Sequence, residues 1–148
     1  MSSEARTLYV DATNQIAGRL SSRVAKLLLT GKRVTVVNSE KALISGSRNS
    51  VMTQWTKSLE LSSRVNPIYG PIHPRRPDNI LKRMIRGMVP RKKAKGVSAM
   101  KRLRVYVGVP AEAKGEKLTQ FDDAAATRPI PVYVTMLELS KNLGWSGE

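Results

Sequence analysis

Short apolar runs and one segment of helical periodicity alternate along the first forty residues. Residues 7–10 form an apolar run that predicts a buried strand. Apolar residues then recur at helical spacing, at Ile16, Leu20, Val24, Leu27 and Leu28. Gly31 is suited to end that helix, and the β-branched run at 34–37 predicts a second buried strand. Strand, helix and strand in this order favour a right-handed crossover and a parallel sheet.

The middle of the chain predicts two further helical regions separated by a stiff loop. Residues 42–46 indicate a short strand or the edge of one, before a helix capped by Ser47 or Asn49. That helix would direct Val51, Met52, Trp55 and Leu59 inward. Five prolines and glycines between residues 67 and 77 then predict a long extended loop, a type of segment that often has a function.

The next helix is predicted to begin at Pro77, with Asp78 in its first turn and Pro90 beyond its end. Its apolar side would contain Leu81, Met84, Ile85 and Met88, and we expect Met84, Ile85, Met88 and Trp55 to lie in the core. A second short helix would direct Val97, Met100 and Leu103 inward, and residues 103–109 alternate like a strand.

The last forty residues are less regular. Residues 111–131 are rich in Ala, Gly, Glu and Lys, which indicates a surface excursion. Thr135 and Glu138 have the spacing of a capping box, and Gly144 suits the end of the helix that follows. We predict one α/β domain over residues 1–148, with residues 111–148 as a C-terminal extension.

Composition narrows the chemistry that this domain can perform. The 148 residues contain no cysteine, so disulfides, thiolate metal sites and cysteine nucleophiles are excluded. The N-terminal residues lack the apolar core of a signal peptide, and no run approaches membrane-spanning length, which favours a cytoplasmic protein without membrane contact.

The positive charge is concentrated in one segment. Residues 75–104 contain twelve Lys and Arg and a single acid, Asp78, which accounts for +11 of the formal net charge of +15. Like charges this close repel one another and destabilise the compact state. A polyanion would offset the repulsion and gain the free energy of counterion release. We therefore predict that residues 67–104 bind a nucleic acid.

Enzymatic interpretations find little support in the residue pattern. His73 is the sole histidine and lies in the proline-rich loop, where a structural role is more common than a catalytic one. The adjacent pair Asp122 and Asp123 lacks His or Cys neighbours that would indicate a metal site. Residues 11–19 join a strand to a helix, as in nucleotide-binding folds, but lack the glycines that admit a pyrophosphate. We expect no cofactor, no metal, no small-molecule substrate and no enzymatic activity.

The kind of nucleic acid follows from the side chains in the basic segment. Aromatic residues make up only 5% of the chain, which is few for a protein that stacks single-stranded bases. Arginines predominate in the basic segment, and their planar forks bind phosphates at two points. These features together predict a compact α/β protein that binds structured RNA or DNA through one basic surface.

Several motifs resemble the family of ribosomal protein thirteen of the large subunit. They are VDAT at 10–13, GRL at 18–20, VNSEK at 37–41, ISG at 44–46, GPIHPRRP at 70–77, RGMVP at 86–90 and KRLRVYVG at 101–108. The Gly-Pro-Ile-His form of the loop is similar to the archaeal and eukaryotic branch. The resemblance covers roughly residues 7–110, whereas residues 111–148 match the pattern less clearly.

This resemblance implies a three-layer α/β/α fold around a four-stranded, mainly parallel sheet, with a basic loop-helix-turn-helix insertion before the last core strand. It also implies a structural, non-catalytic constituent of the large ribosomal subunit, which binds and helps to assemble ribosomal RNA beside neighbouring ribosomal proteins. An obligate homo-oligomer is not expected. A DNA- or chromatin-binding protein remains the alternative, and a nucleotide-binding enzyme is a further one.

On this basis we predict which side chains contact RNA. They are Tyr69, His73, Arg75, Arg76, Lys82, Arg83, Arg86, Arg91, Lys92, Lys93, Lys95, Lys101 and Arg102. The apolar sides of the two central helices would dock on the sheet, and their cationic sides would clamp backbone from separate RNA helices. Gly87 and Gly96 have two open interpretations, which are close approach of the backbone to a phosphate and helix termination.

Overall fold

A computed structural model of the chain describes residues 7–129 and 132–147. The strands are β1 (Leu8–Asp11), β2 (Val34–Val37), β3 (Leu43–Ser45), β4 (Leu103–Val105), β5 (Leu118–Thr119) and β6 (Tyr133–Thr135). The α-helices are α1 (Ala17–Leu29), α2 (Arg48–Leu59), α3 (Pro77–Gly87), α4 (Ala94–Lys101) and α5 (Met136–Asn142). Short 3-10 helices lie at Ser39–Lys41, Pro67–Tyr69, Ala111–Ala113 and Asp122–Ala124.

Four strands form one parallel sheet in the order β4-β2-β1-β5. The central pair aligns Leu8 with Val34 and Val10 with Val36, and Val36 in turn aligns with Val105 of β4. This sheet confirms the predicted α/β class and the predicted strands at 7–10 and 34–37. The basic segment enters the chain before β4, and one more strand of the sheet, β5, follows it.

One face of the sheet is covered by helices. Val10, Val34 and Val36 are fully buried, and they share a core cluster with Leu20 and Leu28 of α1 and with Leu81 and Ile85 of α3. Because alternate strand residues point to opposite faces, the β-branched residues of β1 and β2 supply a flat apolar surface on which these helices pack. The helix α1 contacts α3 and α4, which places the basic segment on a rigid base.

The opposite face of the sheet is more polar and is crossed by the connection from β4 to β5. Tyr9, Thr35 and Arg104 are aligned across β1, β2 and β4, and they share this second face. Glu112, in the 3-10 helix of the connection, borders the same cavity as these three residues. The two faces of the sheet therefore differ in character, since helices pack on one and the other combines the fully buried Val37 with polar and charged groups.

A second, antiparallel ladder joins β3 to β6 and brings the C-terminal region onto the core. Ser47 caps α2 by accepting from the Ser50 amide, and Thr135 caps α5 by accepting from the Glu138 amide at 3.2 Å. The Glu138 carboxylate binds Arg48 of α2 at 2.5 Å, so it links the two helices that flank the ladder. Of the two residues predicted to cap α2, Ser47 is the cap, and Thr135 is confirmed as the cap of α5. The Glu138 half of the predicted capping box instead binds Arg48.

Four sequence predictions are wrong in detail. Met88 is 45% exposed, because it caps α3 after the helix has ended, and Val89 is buried in its place. Val97 is 47% exposed, because α4 packs through Gly96 and Ala99. The predicted strand at 103–109 stops at Val105. Residues 111–131 are not only a surface excursion, since β5 pairs with β1 at the edge of the main sheet.

Other predicted core positions lie at the margin of the core. Trp55 and Met84 are half-buried and pack against the central cluster, while Ile85 is fully buried. The basic helix α3 is thus fixed to the core through its Ile80, Leu81 and Ile85 side, as its apolar stripe predicts.

Candidate nucleic-acid interface

The proline-rich loop is held in one shape by its own hydrogen bonds. The Asn66 side chain accepts from the Ile68 amide at 3.1 Å, which caps the 3-10 helix at Pro67–Tyr69. The His73 ring nitrogen Nε2 lies 2.7 Å from the Leu61 carbonyl oxygen and joins the two sides of the loop. This contact gives His73 the structural role that is usual for a lone loop histidine.

The tip of this loop presents large apolar side chains to solvent. Leu61, Val65, Ile68, Tyr69 and Ile72 are all more than 60% exposed, and Tyr69 is 86% exposed. Exposed apolar residues this close together indicate a contact surface, because a soluble monomer gains nothing from them. Tyr69 is the aromatic ring of the basic segment that is free to stack on a partner.

The loop is joined to α3 by Arg83. Its guanidinium Nη1 donates to the Ile72 carbonyl oxygen at 2.6 Å. A guanidinium has five N–H donors, so this bond engages only part of its donor capacity. At the start of α3, Arg76 pairs with Asp78 at 3.2 Å, and both side chains are anchored near the first turn. Arg75 and Lys82 are exposed beside them.

The turn between α3 and α4 is compact. Arg91, Lys92, Lys93 and Lys95 are all exposed. Gly96 is buried in the first turn of α4, and a Cβ at this position would lie 2.1 Å from the Pro90 carbonyl oxygen. Gly96 therefore permits the protein's own backbone to fold tightly, and the hypothesis that it admits a phosphate is wrong. Gly87 is exposed, with open space where a Cβ would be, at the end of α3.

The cations of α3 and of the turn form one electrostatic unit. The pKa of Arg86 is lowered from its ordinary value, first by loss of hydration and then by the positive charges of Arg83 and Arg91. The charge on Arg86 therefore incurs repulsion that a nearby anion would remove. We call the surface formed by residues 69–95, which comprises the proline-rich loop, the cationic side of α3 and the turn after it, the loop-α3 surface.

Two of the predicted contact residues lie apart from that surface. Arg102 is half-buried, and its Nη2 donates to the Leu28 carbonyl oxygen at 2.8 Å, at the C-terminal end of α1. A cation at this position is favourable, because the helix dipole is negative there. Lys101 borders a cavity with Arg33, Arg104 and the same Arg102. The thirteen predicted residues therefore do not form one continuous patch.

Sequence reasoning did not select Arg33 and Arg104 as binding residues. Arg33 precedes β2 and lies outside the dense basic segment, so its position gave no signal. Arg104 lies within the segment, but its direction is set by the alternation of β4, whose register only the structure supplies.

The carboxyl ends of the central strands are closed by a polar network around Asp11. Its carboxylate accepts from the Thr13 amide and hydroxyl at 3.0 and 2.7 Å, from Asn38 at 2.9 Å and from Gln120 at 3.0 Å. Nucleotides bind at this position in doubly wound folds. Here the position is occupied by the protein's own side chains, which joins β1 to the residues after β2 and β5.

These hydrogen bonds shift the titration of Asp11. Partial burial raises the pKa of the Asp11 carboxyl, but the hydrogen bonds from Asn38, Thr13 and Gln120 outweigh it, and the net pKa is lowered. A carboxyl whose pKa is lower in the folded state stabilises the fold above its unfolded pKa, and that stability is lost as the pH falls through the folded pKa.

Asp11→Asn should therefore lower the free energy of unfolding in a pH-dependent manner. At about pH 7 we expect a loss of about 1–2 kcal/mol, since the site is only half-buried and solvent screens part of the interaction. The difference from the wild type should shrink as the pH falls below about 4, where the unfolded carboxyl begins to bind a proton, and should go on shrinking until the folded carboxyl is protonated as well. Urea unfolding across pH measures it, and Glu116→Gln, at an exposed carboxylate, is the control. A pH-independent difference would contradict a role for the charge.

Within residues 7–129 and 132–147, no helix has both the length and the apolar character needed to cross a bilayer. Within the same ranges, no three His, Asp or Glu residues are grouped in a way that would hold a metal ion.

The motifs identified in the sequence coincide with these structural features. VDAT and VNSEK build the Asp11 network, and GPIHPRRP builds the braced loop. A family model described as "Ribosomal protein L13" matches residues 5–112. The chain belongs to the ribosomal protein L13 family.

Relatives of this L13-family chain extend the likeness to its C-terminal region. The large ribosomal subunit protein uL13 of Sulfolobus acidocaldarius is 45% identical over 145 residues, which cover 97% of each chain. The corresponding protein of Aeropyrum pernix is 44% identical over 97% of this chain and 94% of its own length. That of Methanosarcina barkeri is 45% identical over 91% and 96%. The likeness thus also includes residues beyond 110, and these relatives come from archaea, one of the two groups that the form of the loop motif predicted.

Proposed function

We propose that the protein is a structural constituent of the large ribosomal subunit, and that it binds and helps to assemble large-subunit ribosomal RNA in the cytoplasm. The observation on which this rests is the concentration of cations on α3 and the turn after it, where the charges of Arg83 and Arg91 act on Arg86 beside a packed α/β core. Membership of a ribosomal protein family supports the class of partner.

The mechanism follows from how each part of the loop-α3 surface is held. Ile80, Leu81 and Ile85 bury one side of α3, so its cationic side keeps a fixed orientation toward solvent. Arginine forks on such a helix bind two phosphate oxygens at a defined angle. The hydrogen bond from Arg83 to Ile72 ties the loop to the same helix, so loop and helix present one surface to the RNA.

The lysines of the turn contribute differently. Lys92, Lys93 and Lys95 are exposed on long flexible side chains, and an ammonium group acts as a near-point charge. We infer that they add attraction to any polyanion, while the α3 arginines select the arrangement of the RNA backbone. The exposed apolar loop residues, with Tyr69 among them, are suited to contact bases or a neighbouring ribosomal protein.

Changing Arg83 and Arg86 together to Lys keeps the charge and removes both forks. Binding to large-subunit RNA should weaken by about tenfold, while binding to scrambled RNA stays nearly unchanged. Lys92→Gln with Lys93→Gln should weaken both, and should reduce the salt slope by at most about two units. Parallel titrations of both variants against both RNAs measure the difference.

The two single variants separate positioning from loop bracing. Arg83→Lys also replaces the guanidinium that donates to the Ile72 carbonyl, whereas Arg86→Lys leaves that hydrogen bond intact. Equal losses on cognate and scrambled RNA for the Arg-to-Lys pair would show that only charge matters on α3, and the positioning role would be dropped.

The function itself is tested against its alternative by competition and by sedimentation. We expect duplex DNA to compete poorly with a large-subunit RNA fragment, and the protein to sediment with large subunits after a moderate-salt wash. Equal competition by duplex DNA, together with release from the subunit, would favour the DNA-binding alternative.

A further inference from the structure

The face of the sheet opposite α3 contains a cavity of about 420 Å³. Its floor is the aligned row of Tyr9, Thr35 and Arg104 across the three strands β1, β2 and β4. Arg33, which precedes β2, and Lys101, at the end of α4, border it at the amino ends of the strands. The cavity therefore has a floor of residues held in place by the sheet, and long cationic side chains at its border.

The charge of this cavity is strongly positive. Arg33, Lys101, Arg102 and Arg104 line it, and Glu112 is the acidic residue at its border. Among the described residues, neither Arg33, Lys101 nor Arg104 forms an ion pair. Arg102 uses one nitrogen for the Leu28 carbonyl, while its buried Nε has no hydrogen-bond partner within those residues. An anion would relieve this excess of positive charge.

The lining also has the donors that a phosphate requires. Arginine forks bind phosphate oxygens in pairs, and hydroxyl groups of Tyr and Thr complete the shell in many phosphate contacts. Tyr9, Thr35 and Thr7 supply three hydroxyl groups beside the cations. The polar character of the lining argues against an apolar ligand.

We propose that this cavity is a phosphate-binding site that is separate from the loop-α3 surface. The helix α3 packs on the face formed by Val10 and Val36, and Arg104 lies on the other face. A sheet and a packed layer together separate the two surfaces by on the order of 10 Å or more. If the phosphate is that of an RNA backbone, the protein holds one RNA segment on each side of its sheet, and this bridging role rests on the proposed function.

The test uses the variant Arg33→Gln with Arg104→Gln, both of which change exposed side chains. Lys57→Gln with Lys141→Gln removes the same charge from exposed positions of α2 and α5 and is the matched control. In the first arm, sodium phosphate is titrated at constant ionic strength while amide NMR shifts of Tyr9, Thr35 and Arg104 are followed. We expect saturable shifts in the wild type and the control and none in the cavity variant.

In the second arm, a short RNA duplex is immobilised, loaded with protein and offered a second, labelled duplex. The cavity variant should load within about threefold of the wild type but capture at least about tenfold less labelled RNA. If the cavity variant captures less labelled RNA than the wild type, the phosphate is that of RNA. If it captures as much RNA as the wild type but lacks the saturable phosphate shifts that the wild type shows, the ligand is a free phosphate. If a folded cavity variant keeps both the phosphate shifts and the RNA capture of the wild type, the proposed site is wrong. The RNA preference measured for the proposed function is a separate result, so either proposal can fail alone.

Discussion

The affinity for structured large-subunit RNA should fall on the order of a thousandfold when monovalent salt rises from about 50 to about 200 mM, if about six phosphates are engaged. The cause is counterion release, which supplies less free energy when the bulk solution already contains more cations. The positive charges of Arg83 and Arg91 act on Arg86, so phosphates bound at this surface should relieve that repulsion and contribute to the binding free energy. Fluorescence titration at several salt concentrations measures the slope.

The control for this experiment replaces salt with an uncharged osmolyte at equal osmolality, which should leave the affinity nearly unchanged. The cavity variant tests whether the second face contributes, since it should lower the slope by at most about two units. A flat salt dependence of the wild-type protein would contradict the phosphate-clamp mechanism.

Ile85→Ala should lower the free energy of unfolding by about 2–5 kcal/mol. Ile85 is fully buried in the core cluster between α3 and the sheet, and truncation leaves a cavity that the packed strands cannot fill. The matched control is Met88→Ala at the end of the same helix, where 45% of the residue is already exposed, and it should cost about 1 kcal/mol or less. Urea unfolding of both variants measures the difference.

RNA binding gives an independent readout of the same variant. Because Ile85 fixes the orientation of α3, any RNA-binding loss of folded Ile85→Ala should be partly restored at lower temperature or by a stabilising osmolyte. An Ile85→Ala protein as stable as the wild type would mean that this side of α3 does not support the fold.

Regular apolar patterns predicted the scaffold well, because they reflect burial of whole element faces. The strands β1 and β2 follow from short apolar runs, the helix α1 follows from its helical period, and the start of α3 follows from Pro77 and Asp78. The strand β5 could not be found in this way. It has only two residues, Leu118 and Thr119, and a pair of residues has no period.

The errors in the core have a common physical source at the ends of helices. The helical period of the apolar residues in α3 extends to Met88 in the sequence, but the helix ends at Gly87. Met88 therefore turns outward, and Val89 is buried instead. In α4, Gly96 lies against the Pro90 backbone, and Gly96 and Ala99 form the buried side, so the larger Val97 is left outside. Such close contacts depend on tertiary geometry, which a single periodic pattern does not contain.

The candidate site was predictable in charge but not in arrangement. The density of Lys and Arg located the loop-α3 surface, and physical reasoning from it reached structured nucleic acid. The ribosomal class of partner came from the motif resemblance. Lys101 and Arg102 lie apart from that surface and border a cavity with Arg33. This arrangement depends on the pairing of β4 with β2, which brings together residues some seventy positions apart in the sequence.

The pairing of β5 with β1 has a consequence for the order in which the molecule can form during synthesis. The hydrogen bond from Gln120 to Asp11 spans 109 positions, so one edge of the sheet stays open until nearly the whole chain has been made. The arginines of α3 emerge before that closure, when β1, α1 and β2 have been made but β4 and β5 have not. Pairings this distant in sequence also slow folding, since the chain must close a long loop first. The newly made protein therefore passes through a stage at which its charges are available but its shape is not yet fixed.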